Sequence, residues 1–175
     1  MRRAPMPAGT LRPMAEGSSA EEAFRPLPSH YRRCFGCGEE HPTGLHMQVV
    51  GSGTTIRGSF LVTEHHQGAP GLAHGGVIAA ALDEAMGFLI YLAEKPAVTA
   101  HLEVDYRKPV PIGSRLELEA HLDKVDGRKL YASVTGRVDG DVHVEGHSLF
   151  LVVGVEHFLP HIERAGETWV RPYNP

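Results

Sequence analysis

The chain has 175 residues, 42% of them hydrophobic, and a formal net charge of −4. It is long enough to fill one hydrophobic core and short for two, and so mild a charge gives no electrostatic reason to expect nucleic acid or an anionic membrane as a partner. Two cysteines are too few for a secreted disulfide scaffold, and no uncharged apolar stretch reaches the roughly 18 residues of a membrane span; a soluble, cytoplasmic, single-domain protein is expected.

Residues 1–30, "MRRAPMPAGTLRPMAEGSSAEEAFRPLPSH", are rich in Pro, Gly and Ser, hold no apolar run of signal-peptide length and predict a loosely ordered extension. The next stretch, "CFGCGEEHPTGLHMQVVGSG", is dense in turn formers and carries a short strand-like run, Leu45 to Val50. "TTIRGSFLV" alternates, is β-branched and predicts a strand. The loop "TEHHQGAPGLAHG" then leads into an apolar segment, about residues 75–93, too long for a strand and rich in the Leu, Ala and Met that suit a helix. Apolar residues occupy every face of it, which predicts a helix buried nearly all round. Pro96 fits its stop.

Four strand-like runs follow: "AVTAHLEVDYRK", "SRLELEAHLDKVD", "RKLYASVTGRVD" and "DVHVEGHSLFLVVGV". Gly127-Arg128 and Asp139-Gly140 fall between them at hairpin positions. A tail runs from Glu156 to residue 175. One buried helix followed by a meander of long strands predicts an α+β fold in which a sheet wraps around the helix.

Two acids, Asp83 and Glu84, interrupt the helix. A buried carboxylate costs several kcal/mol unless paired or protonated, and adjacent helical residues point about 100° apart, so the two cannot serve one locus. Gly75 and Gly76 at the helix start leave N–H groups aimed outward at the positive end of the helix dipole, where a carbonyl oxygen gaining negative charge is stabilised. Gly75 and Asp83 are eight residues apart, about 12 Å along the axis. A group attacking a carbonyl whose oxygen Gly75 holds must act within about 3 Å of its carbon. One helix therefore cannot supply both. Two antiparallel copies can, each giving its start to one site and its Asp to the other, which requires a homodimer with two composite sites.

"HGGVIAAALDEAMG", preceded by "HHQGAPGLA" and followed by "VTAHLEVDYRKPVPIG", resembles the hotdog-fold acyl-CoA thioesterases of the phenylacetate-pathway and thioesterase-superfamily-member-4 type. The upstream "CFGCGEEHPTGLHM" looks like the Cys-rich segment of many members. The match covers roughly residues 31–155. It implies a hotdog fold, an antiparallel sheet around a central helix, dimers and in some members tetramers, and hydrolysis of an acyl-CoA thioester without a cofactor. By that resemblance Asp83 is the catalytic carboxylate, as nucleophile or as base for water. Gly75 is the backbone N–H that polarises the carbonyl from the opposite subunit, and Thr99 is a hydroxyl that helps to hold the water. Relatives often carry an Asn just upstream of the His that matches His74; this chain has Gly68 there, with Gln67 beside it, and Gln67 is expected to take that polar role.

His74 is read mainly as structural, with a local hydrogen bond fixing the turn, and with Gly76 and His66 it is placed along the substrate. Coenzyme A carries phosphates, so Arg107 and Lys108, beside Tyr106 and Pro109, are the expected cations at the entry. Cys34-x-x-Cys37 with His41 and His46 lacks the longer separation between ligand pairs usual for structural zinc, and no metal is expected. Two other readings remain: a β-hydroxyacyl dehydratase or hydratase on the same fold, which would pair a His with an acid, and a non-catalytic acyl-CoA binding module.

Overall fold

The computed structural model of the protein describes residues 23–93 and 95–165. Its elements in chain order are strands β1 (Arg25–Leu27), β2 (Gln48–Ser52) and β3 (Thr55–Leu61), helix α1 (Gly75–Leu92), strands β4 (Ala97–Tyr106), β5 (Arg115–Asp126), β6 (Lys129–Val138) and β7 (Asp141–Val152), and a short helix α2 (Leu159–Ala165). The strands form one antiparallel sheet in the order β1-β2-β3-β5-β6-β7-β4. This sheet curls around α1, giving the α+β hotdog architecture expected from the sequence.

Each strand follows from its residues. Along β6, Leu130, Ala132, Val134, Gly136 and Val138 are buried, and most of the residues between them are half-exposed or exposed; this period of two is that of a sheet with one wet face. The β6–β7 hairpin turns on Asp139 and Gly140, both at positive φ (51° and 85°), the conformation that a two-residue primed turn demands and that Asp-Gly supplies. Gly146 of β7 answers a different need. A Cβ there would stand 2.8 Å from Leu82 Cδ2 and 3.0 Å from the Glu103 carbonyl oxygen, so glycine lets the strand close on the helix.

α1 buries Ile78, Ala81, Leu82, Ala85, Met86, Phe88, Leu89 and Ile90 against Ile56, Phe60, Leu116, Leu118, Leu130 and Phe150 of the sheet. At roughly 1.5–3 kcal/mol per buried large side chain, this interior is the principal stabilising element of the fold. By length and composition α1 could cross a membrane, but it is the core helix that the sheet wraps.

Two expectations are corrected. The helix is not covered nearly all round: Ala79, Ala80, Asp83 and Gly87, one stripe at helical spacing, are only half-buried, and Gly75 and Gly76 are exposed. The sheet wraps one side, and small residues line the other. The boundary drawn at residue 30 also falls inside the fold, because β1 pairs with β2 through Arg25–Gly51, Pro26–Val50 and Leu27–Val49. Residues 1–22 of the expected extension and 166–175 of the expected tail lie outside the described residues; the tail's first part forms α2.

Candidate active site

Asp83 sits in the middle of the half-covered stripe. Its Oδ1 accepts a 2.8 Å hydrogen bond from Thr99 Oγ1. Thr99 lies on β4 beside a β-bulge, where pairing with β7 slips between Thr99 and His101; bulges re-aim side chains, and here the hydroxyl meets the helix. Burial raises the Asp83 pKa above the ordinary carboxylate value, and the Thr99 hydroxyl works against that rise. A carboxylate so held is a stronger base than one in water.

The start of α1 gathers the remaining candidates. His74 is the N-cap, and its Nδ1 accepts the Gly76 N–H at 2.9 Å, which fixes the turn as the sequence predicts. Tyr106 Oη donates to the Gly75 carbonyl oxygen at 2.8 Å. Among the described residues the Gly75 N–H has no acceptor, as expected of the first N–H of a helix. A cleft of about 210 Å³ beside it is lined by Gly75, Tyr106, Arg107, Lys108 and Pro109. A larger hollow of about 850 Å³, lined from β1, β2, β3, β5 and β6, contains none of the candidate residues.

Within one chain, then, two half-sites form: Asp83 with Thr99, and Gly75 with Gly76, His74, Arg107 and Lys108. Gln67 belongs to the second. Its Oε1 accepts the Gly71 N–H at 3.0 Å and steadies the loop that enters the helix, so it does not touch Asp83. His66 requires correction. Its side chain is buried, only 3% exposed, its Nδ1 accepts the Thr63 N–H at 3.1 Å, and its ring packs edge-on against Phe60. It supports the loop from inside instead of meeting substrate, and burial lowers its pKa, keeping it neutral. Arg107 and Lys108 are exposed but not idle: Arg107 binds Glu145 at 2.8 Å and Asp105 at 3.2 Å, and Lys108 binds Asp141 at 2.8 Å. Surface pairs of this kind contribute little stability, so both cations can be redirected to a phosphate.

The sequence reading missed Tyr106 as the anchor of the first helical turn; the signal was its place, in register with Val144 at the end of β4. It also left Glu84 without a partner. Glu84 faces Cys34, Cys37 and His30, while His41 stacks edge-on against Phe35 and, like His46, stays outside that group.

Residues 70–145 match the model of the thioesterase superfamily. The crystal structure of protein RHA08564, a thioesterase superfamily protein, is 30% identical, with a TM-score of 0.65 over 78% of this chain and 70% of that one. The chain belongs to the thioesterase superfamily. The acyl-coenzyme A thioesterase THEM4 of Rattus norvegicus is 37% identical to this superfamily member over 89 residues, 50% of the chain but only 38% of the rat protein. A hypothetical thioesterase protein with coenzyme A from Streptococcus pneumoniae TIGR4 shares the fold at 17% identity, with a TM-score of 0.56 over 58% of this chain and 82% of that one.

Proposed function

We propose that this superfamily member hydrolyses acyl-CoA thioesters at two composite sites in a homodimer. The observation that carries the reading is the separation of the two half-sites along α1. Asp83 with its Thr99 partner lies eight residues from the Gly75 N–H, about 12 Å along the axis, on a stripe of Ala79, Ala80 and Gly87 that a second helix can approach closely. β4 adds to this. It is the outer strand of the sheet, and its exposed edge has no partner beyond β7 among the described residues. Long uncovered edges invite pairing with another chain. Two copies joined along β4 with antiparallel α1 helices would set each Asp83 against the other copy's Gly75.

In such a site the thioester oxygen accepts the Gly75 N–H, which strengthens as the oxygen becomes anionic. Asp83, its Oδ1 held by Thr99, takes a proton from water through Oδ2 as the water oxygen bonds to the carbonyl carbon. The tetrahedral intermediate collapses with cleavage of the C–S bond, and the proton on Asp83 passes to the departing sulfur. The products are a free acid and coenzyme A. Arg107 and Lys108, in the cleft with Gly75, would exchange their surface acids for coenzyme A phosphates. The name of the rat relative and the coenzyme A held by a protein of the same fold support the substrate class.

The test is thiol release from short, medium, long and aromatic acyl-CoAs, with enoyl absorbance followed alongside and the mass measured by sedimentation. Thiol release from at least one class by a dimer or a tetramer of dimers is expected. A monomer that turns over as fast as the assembled form would overturn the composite site. Enoyl formation without thiol release would favour the dehydratase.

A further inference from the structure

The second acid of α1 stands in a constellation that thioester hydrolysis does not use. Glu84 is 12% exposed at its side chain, and its ion-pair partner among the described residues is His30, Nδ1 to Oε1 at 3.3 Å. Cys37 Sγ lies 3.2 Å from the same Nδ1, and Cys34 Sγ lies 3.5 Å from Glu84 Oε2. One ligand atom from each of the four residues lies within 4.8 Å of all the others. Around a tetrahedral zinc ion, with bonds of about 2.1 Å to nitrogen or oxygen and about 2.3 Å to sulfur, ligand atoms sit roughly 3.4–3.8 Å apart. The separations of 3.2 Å (Cys37–His30), 3.3 Å (His30–Glu84) and 3.5 Å (Cys34–Glu84) lie near those edges, and small side-chain adjustments bring the remaining pairs in from within 4.8 Å.

The surroundings fit a metal as well. The Gly36 N–H points at Cys34 Sγ from 3.3 Å, the kind of backbone donor that steadies a metal-bound thiolate. A Cβ on Gly36 would overlap the Glu84 carboxyl group, so glycine leaves the carboxylate room to reach the Cys-x-x-Cys turn. No Lys or Arg among the described residues is paired with Glu84. On metal binding the thiols give up their protons, and two thiolates, one carboxylate and a neutral imidazole around one dication leave the group at −1. Soft sulfur donors beside an imidazole exclude calcium and magnesium and suit zinc.

We propose that His30, Cys34, Cys37 and Glu84 bind one zinc ion per chain, in a closed four-ligand site that pins the segment before β2 to α1. With no position left for water the ion is structural, not catalytic. Its effect is to fasten the helix face next to Asp83. This replaces the expectation of no metal, which rested on the short separation between Cys34-x-x-Cys37 and His41 with His46; the two cysteines are joined instead by a residue assigned to the extension and by one from the helix.

The full chain, stripped with a chelator and kept reduced, is titrated with cobalt(II) and then zinc(II) in the absence of any acyl-CoA. One equivalent of cobalt should give a thiolate-to-cobalt charge-transfer band and intense tetrahedral d–d bands, both abolished by one equivalent of zinc. Cys34→Ser with Cys37→Ser should remove the charge-transfer band. His30→Gln, on a half-exposed loop residue that leaves the core intact, should weaken binding by more than about tenfold, and Glu84→Gln should keep the charge-transfer band while altering the d–d bands. Stripping wild type should also speed reaction of both thiols with a disulfide reagent. Absence of the charge-transfer band in reduced wild type overturns the proposal. So does cobalt binding that His30→Gln and Glu84→Gln leave unchanged, since the ion would then sit elsewhere. Because the readout is spectroscopic and uses no substrate, failure of the thioesterase reading would leave it standing.

Discussion

Asp83 and Glu84 are neighbours on one helix and occupy unlike surroundings. Asp83 faces a stripe of small residues, is half-buried, and is held by a single hydroxyl. Glu84, about 100° around the helix, is more deeply enclosed, beside two thiols and an imidazole, and burial before all else lifts its pKa to about 7. The difference teaches that an acid in an apolar helix has two routes to tolerance. It can stay half-exposed on a face of small residues, as the proposed composite site requires, or it can be enclosed with groups able to share its charge.

Neutralising the first acid alone separates the two environments most clearly. Asp83→Asn keeps size and removes the proposed base, so kcat should fall by about 10²–10⁴-fold while the melting temperature stays within a few degrees. A variant that keeps wild-type turnover would make the two acids equivalent and structural. Gly36→Ala addresses the other side. The added methyl would displace the flexible end of Glu84 from the thiols and His30, so stability in a denaturant titration should drop by about 1–3 kcal/mol, with turnover per folded molecule largely retained.

Thr99→Ala sharpens the Asp83 side. Burial raises the pKa of this acid, and the Thr99 bond, which favours the charged form, opposes the rise. Removing the hydroxyl therefore raises the pKa further, and the acidic limb of the kcat/KM profile should move to higher pH as kcat falls by about tenfold. An unmoved limb would show that Thr99 does not set the state of Asp83. The smallest effect belongs to the helix start. His74→Ala removes the cap on Gly76 and should cost about 1 kcal/mol in thermal unfolding.

How much of this could be read from sequence follows from how local each signal is. The run Val77 to Leu92 and the Asp139-Gly140 turn declare themselves within a few residues, and the structure keeps both. Gly75 and Asp83 could be assigned to separate sites because helical rise converts eight positions into a distance. The partner of Glu84 could not be read. His30 precedes it by 54 positions, in a stretch whose composition signals looseness, and meets it only because β1 ties that stretch to β2. His66 misled for the opposite reason: a polar loop sequence gives no sign that Phe60 lies beneath the ring. The half-covered face of α1 was hidden because alanine and glycine count as apolar whether a sheet or a second helix is to cover them.

The strand order carries a consequence for how the chain is made. β4 follows α1 directly, yet among the described residues it pairs only with β7, whose last residue is Val152. β5, β6 and β7, which wrap the helix and give β4 its neighbour, all emerge from the ribosome later. An apolar 18-residue helix and a ten-residue strand must therefore wait, exposed, while about 50 further residues are synthesised at roughly 5–20 per second. For those several seconds the nascent chain shows its stickiest surface, and the yield of folded protein in the cell depends on what shields that surface until β7 arrives.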